Sequence, residues 1–271
     1  MLPYWPLRLI GGLLLIVAAY GFWVEPSSLR TVEYPVSVGV GGSLRIAVIS
    51  DLHAGAPYID DTKIARVVAM ANAAKPDLIL LTGDYVITNV VGGWRMPIES
   101  IAAQLKPLHA RLGVYAVLGN HDRWSGAPPI ERALSKAGIV VLEDRAARIG
   151  VGGNSFFLAG ISDYNNGPHL VRGAMLGIPR DQKAFCFTHS PDVFPDLPAT
   201  CALTVAGHTH GGQIDLPLIG PLVVPSKYGA HYARGLYREN GKTLFVSSGI
   251  GTSIVPVRIG VRPEVSILDV R

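Results

Sequence analysis

Five apolar runs in this 271-residue chain each lead straight into side chains that bind metals. Asp51 and His53 follow residues 44–50. Asp84 follows 77–83. Asn120, His121 and Asp122 follow 113–119. His189 follows 184–188, and His208 and His210 follow 202–207. Continuous apolar runs of this length read as strands buried on both faces. In open α/β sheets the carboxyl ends of the strands form the ligand crevice. Five strand ends therefore bring polar groups to one place. The donors are Asp, His and Asn without cysteine, a set that suits Mn, Fe(II) or Zn. In an extended segment residues i and i+2 point to the same side, so Asp51 and His53 can share an ion. After a turn, His208 and His210 can diverge to separate ions.

The rest of the chain supplies the layers. Residues 61–74 read as an amphipathic helix capped by Asp60 or Asp61. Residues 97–109 read as a helix opened by Pro97, and Pro128 and Pro129 open another that runs to about Lys136. Runs at 139–142, 146–150, 155–161, 243–249 and 264–270 are further strands, more hairpin-like, with Gly-rich turns between them. The expected fold is α/β, a four-layer αββα sandwich of two mixed sheets flanked by helices, with one transmembrane helix before it. Residues 25–43 read as a linker or an edge strand, and 44–271 as one domain. No repeat or low-complexity tract interrupts it.

Charged residues make up only 16% of the chain and mean hydropathy is +0.32, which excludes disorder and coiled coil. Part of the apolar excess lies at residues 1–24, where Arg8 is the one charge. Tyr4 and Trp5 at one end, and Tyr20, Phe22 and Trp23 at the other, make the aromatic belts of a spanning helix. A cleaved signal peptide is the rival reading. The amino terminus and Arg8 before the span, and Glu25 after it, favour a single-pass anchor in a bacterial inner membrane with the domain outside the cytoplasm. The net charge of +4 is too sparse for a nucleic-acid partner. Cys186 and Cys201 read as buried free thiols, and His109, His169 and His231 as ordinary structural histidines.

Taken in order, Asp51-x-His53, Gly83-Asp84, Gly119-Asn120-His121-Asp122, His189 and Gly207-His208-Thr209-His210 resemble the calcineurin-like metallophosphoesterases. The likeness runs from about residue 44 to the C-terminus. The string 207–213, with Lys227-Tyr228, Gly249-Ile250-Gly251 and Arg262-Pro263-Glu264, is similar to a membrane-associated bacterial branch. That branch includes anchored phosphodiesterases and hydrolases of UDP-diacylglucosamine. The resemblance implies two divalent ions. Asp51, His53 and His210 would hold the first; Asn120, His189 and His208 would hold the second; Asp84 would bridge them. It also implies that His121 stabilises the phosphate or protonates the leaving oxygen, oriented by Asp122. Two cations held about 3.5–4 Å apart clamp phosphate oxygens and activate water.

The expected function is phosphodiester or pyrophosphate hydrolysis by a monomer, on an anionic, lipid-linked substrate at the membrane. With only 18 residues between His189 and His208, a lid has no room there, so any cap must come from 123–128 or 164–172. Arg258 is a candidate fork onto the substrate phosphate, against a surface role or a pair with Glu264. Asp163 and Asn165 are turn residues or substrate contacts. The alternatives are a phosphoprotein phosphatase and a non-enzymatic metal-binding sensor, the latter predicting a broken ligand set.

Overall fold

The computed structural model describes residues 5–39, 43–151, 154–164 and 171–271. Asn165, His169 and most of the 164–172 segment lie outside the described residues. Two six-stranded mixed sheets pack face to face. The first runs in the order β1 (Arg30–Val36), β14 (Glu264–Val270), β2 (Leu44–Ile49), β3 (Leu78–Leu81), β4 (Val114–Ala116), β5 (Val140–Val141). In the second the order is β12 (Gly235–Glu239), β13 (Lys242–Val246), β9 (Cys201–Ala206), β8 (Ala184–Thr188), β7 (Asn154–Ile161), β6 (Arg145–Val151). β2 to β5 are mutually parallel, as are β7, β8, β9 and β13.

The period of two along each strand assigns the layers. Ile46 and Val48 meet Phe185, Phe187 and Phe245 between the sheets. Ala47 and Ile49 face outward beneath the helices α3 (Asp61–Ala73), α4 (Ile98–Leu105) and α5 (Asn120–Lys136). On the far side, Ala159 and Ile161 pack under short helical pieces that include Pro191–Asp196. Asp60 caps α3, its side chain accepting the Lys63 N–H at 2.8 Å.

The structure settles one open reading and differs from the sequence reading in two places. Residues 25–43 hold an edge strand, because β1 pairs in parallel along the whole of β14. The helix opened by Pro128 has an earlier half, and the break between them falls at Gly126, with φ +105°. Asn120, His121 and Asp122 therefore lie on a helical first turn. Cys186 and Cys201 are not free thiols; they are joined by a disulfide across β8 and β9, with Cα atoms 5.8 Å apart.

The N-terminal apolar segment is helical. α1 (Trp5–Ala19) continues through a π-helical stretch, Tyr20–Val24, into α2 (Glu25–Ser27). The 22 residues Pro6–Ser27 are long and apolar enough to cross a membrane, since at ~1.5 Å per residue they reach ~33 Å. The end of this helix is docked. Glu25 is buried and its Oε2 accepts the Gly260 N–H at 3.0 Å.

Candidate metal centre and active site

The strands β2, β3 and β9 each end in a sharp turn that carries the donor. Asp51, His53, Asp84, His208 and His210 all have positive φ, between 45° and 71°. This left-handed conformation is uncommon for residues with a Cβ. It reverses the backbone at once, so the side chain points back over the strand end. Gly119 makes a close approach that only glycine permits: a β-carbon there would stand 2.1 Å from Asp84 Oδ1.

The donors gather in two groups that share Asp84. Asp51, His53 and His210 offer ligand atoms within 4.8 Å of one another, and so do Asp84, His189 and His208. His53 Nε2 lies 3.1 Å from His210 Nε2 and 3.4 Å from Asp84 Oδ2. His210 Nε2 lies 3.6 Å from Asp51 Oδ1. On the other side, His189 Nε2 stands 3.3 Å from Asp84 Oδ2, 3.0 Å from Asn120 Oδ1 and 3.1 Å from His208 Nδ1. His189 Nδ1–H donates to the Thr82 carbonyl at 2.8 Å, which aims Nε2 into the cluster. Asp84 Oδ2 is thus the point both groups touch.

Burial sets the charge states. It pushes the His53 and His208 imidazoles down to about 3 and His210 well below its usual range. These rings are neutral, as metal ligation requires. Burial would also raise the carboxyl of Asp84, but His189 beside it wins and holds it well below the ordinary range. Burial opposes charge on His189 too, yet Asp84 raises it. Asp51 is pushed up to about 6 by burial, with Asp84 adding to the rise against His189. Buried carboxylates among imidazoles, neutral at His53, His208 and His210, with no thiolate, fit a pair of divalent cations.

His121 sits at the edge of this cluster, its Nε2 4.0 Å from Asp84 Oδ2. Burial lowers its pKa despite Asp84. Asp122 does not hold it. The Asp122 carboxylate accepts four backbone N–H bonds instead, from Asp84 (2.7 Å), Tyr85 (2.9 Å), Val86 (3.3 Å) and Gly119 (2.9 Å). It staples the Asp84 turn to the start of α5. The group that meets His121 Nδ1 is Thr88, through both its backbone N–H at 3.2 Å and its hydroxyl. Thr88 carries no sequence signal, because it lies in a loop four residues beyond Asp84.

Arg258 is not at a surface. It is fully buried, and its guanidinium donates to the carbonyls of Gly251 (2.6 Å), Ser248 (3.0 Å) and Val261 (3.2 Å). Those bonds knit the 248–261 loop and leave it no fork to offer a phosphate. Asp163 is buried, and its charge is felt at His189. His109 and His231 are exposed and away from the cluster.

Beside His121 opens a cavity of about 590 Å³, lined among others by Thr88, Trp94, Arg95 and Trp124. The Trp124 ring stands 4.9 Å from the His121 ring. The sequence reading missed this cavity, because its walls come from the 87–95 loop and not from a recognisable motif.

Fold and site together define a dinuclear metal-dependent phosphoester hydrolase. The chain belongs to the calcineurin-like phosphoesterase family, whose model matches residues 44–212. It is 32% identical over 232 residues to the phosphodiesterase YaeI of Escherichia coli, covering 83% of this chain and 81% of that protein. It is 28% identical over 275 residues to the metallophosphoesterase YkuE of Bacillus subtilis, covering 97% and 93%. A transmembrane protein with a metallophosphoesterase domain from Danio rerio is 28% identical over 278 residues, covering 93% of this chain and 59% of that one. Its name and the N-terminal apolar helix agree in suggesting membrane attachment.

Proposed function

We propose that this protein hydrolyses phosphodiester or pyrophosphate bonds of a lipid-linked, anionic substrate at a bacterial inner membrane. The observation that places a large ester substituent beside the site is the cavity next to His121, where Trp94, Trp124 and Arg95 offer apolar faces and a cation. The preference for a diester over a monoester rests on the name of the E. coli relative, a phosphodiesterase. A UDP-diacylglucosamine-like lipid has the required chemistry.

Asp51, His53 and His210 would hold one cation, and Asn120, His189 and His208 the other, with Asp84 between them. When bound, the two ions would clamp the phosphate oxygens and supply a nucleophile. The chain's own part is to place groups and to stabilise charge. His121 keeps its proton on Nε2 and donates it as a hydrogen bond to the phosphate or leaving oxygen. Thr88 fixes the opposite ring nitrogen and hence the direction of that proton. Asp122 keeps Asp84 at the point shared by both groups.

The charges flanking the helix favour an extracytoplasmic domain. The disulfide supports that side, since disulfides persist in oxidising compartments. The test compares bis-p-nitrophenyl phosphate with p-nitrophenyl phosphate, on metal-stripped full-length protein refilled with Mn. The expected result is diester turnover that needs metal and is lost in Asp84→Ala. Monoester turnover alone would refute the diester reading. A following screen of envelope lipids is expected to show UDP-linked or phosphodiester headgroups cleaved faster than soluble nucleotides; the reverse order would remove the lipid.

A further inference from the structure

One group of the domain's exposed apolar residues lies near the place where the segment after α1 docks. Leu218 and Ile219, at the tip of the hairpin formed by β10 (Asp215–Leu216) and β11 (Gly220–Pro221), are 109% and 71% exposed. Leu222 and Val223 extend the patch, and Ile254 and Val255 add to it from a neighbouring loop. Two of these residues are held at a conformational cost. Leu218 has φ +69° and Ile254 has φ +63°, a region that bulky and β-branched residues avoid. Glycine or asparagine would relieve both turns. In water, Leu and Ile at such tips gain nothing from being there.

The patch is welded to the end of the membrane-spanning helix. The Asp215 N–H donates to the Ile259 carbonyl at 2.8 Å, and the Gln213 side chain reaches the Val255 carbonyl at 3.2 Å. One residue before Ile259, Arg258 N–H donates to the Gly21 carbonyl at 2.9 Å. Gly21 packs so closely that a β-carbon would stand 2.8 Å from Ile259 Cγ1. Small residues permit this approach of helix to partner. The hairpin therefore holds a fixed position relative to the point where the helix leaves the bilayer. The same loop also borders the metal cluster, since Gly251 N–H donates to the Asp51 carbonyl at 2.7 Å.

We propose that Leu218, Ile219, Leu222 and Val223, with Ile254 and Val255, form a second membrane contact that enters the interfacial layer of the lipid bilayer. The helix and the patch then hold the domain at two points, with the active-site loops lying along the lipid surface. This deepens the membrane reading above by naming the surface that meets the lipid, and it does not depend on the diester chemistry. The occupant is lipid because the patch continues from a helix that itself needs lipid.

The test uses full-length protein in phosphatidylcholine–phosphatidylglycerol vesicles. The two native cysteines are paired, so Leu218→Cys supplies a single free thiol for a nitroxide label. Lys136→Cys, at the end of α5 away from the cluster, supplies the control. At a depth of about 5–10 Å in the interface, the Leu218 label is expected to collide with oxygen more often than with an aqueous nickel chelate. The control is expected to show the reverse. A Leu218 label as open to nickel as the control overturns the proposal. So does a label shielded from both probes in a protein of doubled mass, which would assign the patch to a second copy of the chain. Hydrolysis of bis-p-nitrophenyl phosphate by the same samples reports separately on the chemistry.

Discussion

Asp122→Asn separates two roles for a residue that touches four backbone amides. One carboxylate oxygen accepts from Tyr85 and Val86, the other from Asp84 and Gly119. An amide of the same shape must turn its NH₂ toward one of these pairs. Two bonds are lost and two buried N–H groups go unpartnered, at about 1–3 kcal/mol each. Part of that is offset. Burial and Asp84 push the Asp122 carboxyl up to about 7, so losing its charge relieves repulsion. The net destabilisation is roughly 2–4 kcal/mol, or roughly 5–15 °C in Tm for a domain of this size. Melting of the full-length protein in detergent reads the stability, and metal content and diester kinetics are measured on the same samples. Because Asp122 anchors the Asp84 turn, bound metal is expected to fall with stability. Thr88→Val is expected to act differently, lowering kcat about 10-fold and shifting the pH profile, with melting and metal content unchanged. Asp122→Asn with normal melting and full metal, but a Thr88-like loss of rate, would refute the reasoning and return Asp122 to the role of orienting His121.

Arg258→Met should destabilise by about 3–5 kcal/mol, by stranding carbonyls of the 248–261 loop, while KM for the diester stays unchanged in the folded protein; a raised KM at normal stability would reinstate the phosphate contact. Burial raises Glu143 from its ordinary 4.5 to about 7, with Arg123 pulling the other way. A raised carboxyl favours the folded state while protonated, so this contribution is full below pH 4.5 and is lost as pH climbs to about 7. Denaturation at stepped pH should show a fall that Glu143→Gln flattens, and an equal slope in both proteins would count against it. Chelation of both ions is expected to lower Tm, since a site filled at 100 times its Kd contributes about 2.7 kcal/mol; a melt insensitive to chelator and to added Mn would contradict metal linkage to this fold.

The layers were legible because each buried strand is a short apolar run and each run ends in polar residues. Ile46 and Val48 against Ala47 and Ile49 show why the pairing of faces was not: both sets are apolar, so the alternation that would mark an exposed face is missing. The edge strand β1 was ambiguous for the opposite reason. Its residues Arg30 to Pro35 mix exposed and half-buried positions before the buried Val36, and only parallel pairing with the far end of the chain orders them. The disulfide lay beyond sequence reasoning, because the separation of Cys186 and Cys201 depends on β8 and β9 being neighbours.

The site divides along a similar line. Which residues supply donors was readable, because their chemistry is written in their types. How they are held was not. The left-handed turns at Asp51, His53, Asp84, His208 and His210 cost of order 1–2 kcal/mol each. Asp and His enter this region more readily than most residues, but that local preference is too weak to select it alone; the two packed sheets impose the turns by fixing where each strand must stop. Asp122 and Thr88 belong to this imposed part. Apart from Gly119, their partners lie 33 to 38 residues away, so a spacing such as Asn-His-Asp suggests contact between neighbours where the structure sends each side chain elsewhere. His121 and Asp122 are adjacent in sequence and yet serve different masters, the ring answering to Thr88 and the carboxylate to the turn of Asp84. Adjacency on the first turn of a helix is what divides them, since consecutive residues there point about 100° apart.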